Sequence, residues 1–187
     1  MKKPLASAFV ILALSGPLFS GPLFAAQPEM LLRERCRKDE CTFTKIVTKR
    51  QIAKNAQGQM IEVKSRSVVV PVARGTDQQA VPSPDSFGLV RVSYVYCSTQ
   101  KPAVIFYDDK KFYAHMLNIG AVPAGYAVNS QIEYWAACHD RIVSVNEVME
   151  GRLAKDAEKL GYRPLPAEDI RRRDFRTKKR AFRFLGL

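Results

Sequence analysis

The chain has 187 residues, enough for one domain with appendages, and its 47% hydrophobic content supplies a core and excludes wholesale disorder. With 30 Lys+Arg against 18 Asp+Glu the net charge is +12, which speaks about partners and says nothing about chemistry.

Lys2 and Lys3 are followed by no charged residue until Glu29, and the apolar stretch Leu5 to Leu14 suits the h-region of a secretory signal. Residues 1–26 therefore read as a signal peptide and the protein as periplasmic or secreted. The competing reading is a retained membrane anchor, but Pro4, Gly16, Pro17, Gly21 and Pro22 make a poor continuous helix. Two cleavage points stay open. One lies before Gly16, where Ala13 and Ser15 are small, and the other after Ala26, where Phe24 departs from the small-residue rule. The mature protein then has no transmembrane span.

Cys36, Cys41, Cys97 and Cys138 all lie beyond the leader, and an even count in an exported chain reads as disulfides. Of the three possible pairings, Cys97–Cys138 with Cys36–Cys41 is favoured, the first tying two predicted strands and the second closing a small loop. Zinc is disfavoured, although His139 adjoins Cys138, because Cys-x4-Cys followed by distant single cysteines is not a finger or ribbon spacing. No cofactor is expected.

Residues 27–143 read as a β domain. From Cys41 to Val72 the chain is rich in Thr, Ile and Val around the turn Asn55-Ala56-Gln57-Gly58, which predicts a hairpin. Arg74 to Gly88 carries Gly75, Pro82 and Pro84 and predicts a surface loop. Val90 to Cys97 alternates with period two, the clearest strand. A second hairpin follows, with Ala103 to Tyr107 and Phe112 to Leu117 around Asp108-Asp109-Lys110-Lys111. Ile132 to His139 also alternates and predicts a further strand, with Glu133, Trp135 and His139 on one face. The fold class is thus α+β, mainly β: a small antiparallel β-barrel or curved sheet of about six strands with a helix or helices at its C-terminal end.

Residues 144–162 predict one amphipathic helix, opened by Ser144 and Glu147 as a capping box and closed at Gly161. Residues 163–187 form a basic tail that a helix would suit. Arg171, Arg172, Arg173, Arg176, Lys178, Lys179, Arg180 and Arg183 against Asp174 give its last 17 residues +7, leaving only +3 between leader and tail. With Phe175, Phe182 and Phe184 interleaved, the tail is expected to act as a separable element for anionic partners. In an exported protein these are lipid headgroups, lipopolysaccharide, cell-wall polymers or acidic proteins. Nucleic acid is not expected, since no RNP or helix-turn-helix module is legible.

Ten of the eighteen aromatic residues fall between Phe87 and Trp135. Of these, Tyr126 on a Gly-containing loop and Trp135 beside Glu133 and His139 are the expected exposed partner contacts, with His139 on the same face. There is no P-loop, dinucleotide fingerprint, Ser elbow or HExxH motif, and neither His115 nor His139 has a free nucleophile suggested beside it. The sequence is read as a non-enzyme with no catalytic residues.

Ser93-Tyr94-Val95-Tyr96-Cys97, Lys101 to Tyr107 and Tyr134-Trp135-Ala136-Ala137-Cys138-His139 resemble segments of a group of uncharacterised exported proteins of Gram-negative bacteria. That resemblance implies export and no activity. Over about a quarter of the chain, the Tyr-x-Cys strand, the Gly-Tyr loop and the late Tyr-Trp are also similar to the periplasmic inhibitors of c-type lysozyme. This second resemblance implies a small barrel that plugs the enzyme's cleft with a loop, represented here by Ala124-Gly125-Tyr126. The first expectation is a non-enzymatic binding or structural protein of the cell envelope, and the alternative is a lysozyme-inhibitor-like protein.

Overall fold

The β-branched and aromatic residues that dominate the middle of the chain build one sheet. In a computed structural model, the residues described are 30–34, 36, 40–71, 82–167 and 169–187. The proposed signal peptide and much of the loop predicted after Arg74 lie outside them. Seven antiparallel strands stand in chain order, β1 (Met30–Arg33), β2 (Glu40–Asn55), β3 (Gly58–Pro71), β4 (Val90–Cys97), β5 (Ala103–Asp108), β6 (Lys111–Met116) and β7 (Arg172–Phe175). β1 and β7 are edges, so the sheet is open rather than the closed barrel among the expectations.

Turn chemistry sets the two predicted hairpins. In the first, Asn55 Oδ1 accepts from the backbone N–H groups of Gln57 and Gly58 at 2.9 Å, an Asx turn that reverses the chain without lengthening the loop. In the second, Asp109 and Lys110 both have positive φ, as a two-residue type I′ hairpin requires. Two register shifts in β2, between Ile46 and Thr48 and between Gln51 and Ala53, mark irregularities in the long β2–β3 hairpin.

Strand register then assigns the faces. Ile61, Val95, Val104 and His115 form one cross-strand row, and Met60, Tyr96, Ala103 and Met116 form the adjacent row, which points the other way. The first face is covered by α1 (Val128–His139), α2 (Val145–Met149) and α3 (Ala154–Lys159), whose Ile132, Trp135 and Val148 join Val63 and Val95 in the larger core. On the second face, α4 (Lys178–Phe184) seats Ala181, with Leu185 just beyond it, against Met60, Tyr96 and Ile105. Each fully buried aliphatic side chain of this kind contributes about 1.5–3 kcal/mol, so α4 is held as the core is held.

Four expectations are corrected. Ile132–His139 is helical, part of α1, because Ile132, Tyr134, Trp135, Ala136 and Ala137 are all buried. A segment buried nearly all round satisfies the two-residue alternation and the helical period alike. Among the described residues the six-strand count becomes seven, with β1 and β7 gained and that strand lost. The single helix over 144–162 is two short ones, α2 and α3, interrupted where Gly151 takes φ +65°, although the Ser144/Glu147 capping box forms as expected. The tail is not separable: β7 pairs with β6 and α4 covers the sheet.

Both favoured disulfides are present. Cys97–Cys138 has a Cα–Cα distance of 5.5 Å and Cys36–Cys41 one of 4.1 Å. The longer-range bond ties β4 to α1, a strand to a helix rather than two strands. Among the described residues no helix is long and apolar enough to cross a membrane.

Candidate functional site

The cations of the predicted tail are all exposed, yet the fold distributes them. Within β7, register places Arg172 opposite His115 and Arg173 opposite Ala114, so the two point to different faces. Arg172 lays its guanidinium over the Tyr113 ring at 3.7 Å, and Arg173 sits over Phe184 at 4.8 Å. Lys178 reaches over Tyr94, 5.1 Å from the ring centroid, with Nζ 3.4 Å from the Tyr94 hydroxyl. Lys179, Arg180 and Arg183 project from α4 into solvent, as does Arg176 from the turn before it and Arg171 from the residue before β7.

These contacts join the tail to charges that sequence reading left in the β domain. Along β3, Met60 lies under α4, and Glu62, Lys64 and Arg66 follow it at spacing two, all on that same face. Glu62 pairs with Arg50 at 2.9 Å, whereas Lys64 and Arg66 are exposed opposite Val92 and Val90. Exposed cations thus stand both on α4 and on the sheet face against which it packs. Strand alternation carries the signal for Lys64 and Arg66, but only once their neighbour Met60 is known to face α4.

Of the three expected partner contacts, only Tyr126 is exposed. It is 51% accessible on the short 3-10 turn Gly125–Ala127, with its ring centroid 5.3 Å from that of His115 in an edge-on arrangement. Trp135 is 1% accessible and belongs to the core, which corrects the expectation of an exposed contact: on a helix it turns inward with Ile132 and Ala136. His139, one turn further on, is half-buried against Trp135, and its Nε2 lies 2.8 Å from the Tyr162 hydroxyl. Burial, aided by Arg141, lowers its pKa, so His139 is held neutral inside an aromatic cluster. His115 is buried with Nδ1 2.8 Å from Ser130 Oγ, and desolvation with the nearby Arg172 charge lowers its pKa to about 4.

A second feature has no linear motif. Between the first half of α1 and the upper part of the sheet lies a cleft of about 700 Å³. Glu34, just after β1, accepts from Thr44 Oγ1 at 2.5 Å and from Asn129 Nδ2 at 2.6 Å. Glu133, one helical turn beyond Asn129, hydrogen-bonds Ser93 Oγ from the sheet. Burial first, and the neighbouring Glu34 charge as well, push the Glu133 carboxyl up to about 7, against the Ser93 hydrogen bond. The two carboxyl groups are 99 positions apart in sequence, so only the fold brings them together.

Among the described residues no group of three or more His, Cys, Asp or Glu side chains is arranged to hold a metal ion. Comparison of the chain with protein-family models, with curated proteins and with solved structures finds no match.

Proposed function

We propose that this chain is an exported, non-enzymatic, disulfide-bonded binding protein of the cell envelope that docks on anionic lipid or lipopolysaccharide surfaces. The observation that carries this reading is that Lys178, Lys179, Arg180 and Arg183 of α4 and Lys64 and Arg66 of β3 are all exposed and belong to the same side of the sheet, the side that α4 covers. Exposed cations interleaved in sequence with the half-buried Phe182 and Phe184 suit headgroup phosphates and the acyl boundary. Each cation near an anionic membrane contributes about 1 kcal/mol, so several acting together give measurable binding without a pocket. Two disulfides support an oxidising compartment.

Sedimentation of the mature protein with vesicles of phosphatidylglycerol and phosphatidylcholine tests the reading. Binding should require the anionic lipid and weaken markedly as the Debye length falls from about 30 Å to about 8 Å between about 0.01 M and about 0.15 M salt. Equal binding to pure phosphatidylcholine, or binding indifferent to salt, would remove it.

A further inference from the structure

We propose that the cleft between α1 and the sheet is a binding site for a small organic cation, an amine or guanidinium compound, held between Glu34 and Glu133. This site lies on the opposite face of the sheet from the basic surface and does not depend on the docking reading. At about 700 Å³ the cleft has the size of a small-molecule site. Leu32, Ile46, Phe106 and Ile132 supply apolar walls along which an alkyl chain can lie.

The polar groups are held in place before any ligand arrives. Thr44 and Asn129 fix both oxygens of Glu34, and Ser93 fixes one oxygen of Glu133. Ser65, only 8% accessible, also lines the cleft, and among the described residues its hydroxyl makes no hydrogen bond. A hydroxyl without a protein partner, lining the same cleft as the two carboxyl groups, can accept from an N–H donor.

Charge selects the ligand class. Among the described residues that line the cleft, Glu34, Glu133 and Asp108 face a single cation, Arg91, and His115 behind Ser130 is neutral near pH 7. Among the described residues neither Glu34 nor Glu133 has an ion-pair partner. A cation between them removes the repulsion that, with burial, keeps Glu133 protonated, so binding expels a proton from Glu133 near neutral pH. On a chain of net charge +12 such a site works by contact at short range, not by long-range steering.

Calorimetric titration of the mature protein with hexamethylenediamine, and with hexanediol as its uncharged counterpart, tests the proposal. The diamine should bind with proton release and about tenfold more tightly near pH ~8 than near pH ~6, because the ionised fraction of Glu133 rises about tenfold over that range. Glu133→Gln should weaken binding about tenfold or more and abolish the proton release. Gln keeps the shape and the Ser93 contact, and thermal unfolding checks that the variant is folded. Glu34→Gln, judged the same way, provides an independent loss. Hexanediol binding as tightly as the diamine, unchanged diamine binding in folded Glu133→Gln protein, or no diamine binding at millimolar concentration would each overturn the proposal.

Discussion

The side-chain amide of Asn55, in the turn of the first hairpin, donates to the backbone carbonyl of Gly186 at 3.1 Å, one residue from the C-terminus. The same side chain accepts from the Tyr96 hydroxyl at 2.8 Å and from two backbone N–H groups of its own turn. One residue thus ties the β2–β3 turn, β4 and the end of the chain together. A segment rich in Arg and Lys is here a structural part of the domain, its charges outward and its Ala181 and Leu185 inward.

Leu185 has no exposed surface, and replacing it by Ala should lower stability by about 2–5 kcal/mol. Removal of everything after Ile170 should cost more, since it uncovers Met60, Tyr96 and Met116 and removes β7, leaving β6 an edge strand paired with β5 alone. Urea unfolding monitored by circular dichroism measures both. A truncated protein as stable as the whole chain would return the tail to the status of an extension.

Replacing Cys97 and Cys138 together by Ser should lower stability by about 2–5 kcal/mol, because the bond closes a long loop and pins α1 to β4. The same change at Cys36 and Cys41 should cost less, since that loop spans only five positions. Denaturant titrations of the two double variants give the comparison, and the reverse order would contradict it.

Two buried groups should oppose each other in acid. Glu133 is raised from 4.5 to about 7, so the folded state holds a proton that the unfolded chain releases, and its contribution to stability falls as pH rises through that window. His115 is lowered from 6.5 to about 4, so the unfolded chain takes up a proton that the folded state refuses, and its contribution rises with pH over that range. Where the windows overlap, the two slopes have opposite sign. Glu133→Gln should therefore make stability fall on acidification between about pH 6.5 and about pH 4.5 by up to about 2 kcal/mol more than in the unaltered protein. Unfolding free energies measured at several pH values check this, and parallel profiles would refute it.

What was legible in the sequence follows from how each element is buried. β2 to β6 were readable because strand alternation, turn residues and β-branched composition agreed, and the disulfide partners followed from compartment and spacing. α1 was misread because nearly every position from Val128 to Ala137 except Asn129 and Glu133 is buried, leaving no exposed face to set its period. β7 was hidden because Arg172, Arg173 and Asp174 give an edge strand the look of a solvated run, which is also how edges resist unwanted pairing. The cleft was invisible because Glu34, Ser65, Ser93 and Glu133 come from four separate segments.

In the proposed function the cations of the basic tail and those of β3 act as one docking face. Paired charge reversals separate it from a tail acting alone: Lys179→Glu with Arg183→Glu in α4, and Lys64→Glu with Arg66→Glu in β3. All four side chains are exposed, so both double variants should fold. At about 1 kcal/mol per charge, each pair should weaken low-salt binding to phosphatidylglycerol vesicles by about tenfold or more. A loss confined to the α4 pair, or no loss in either, would contradict a shared face.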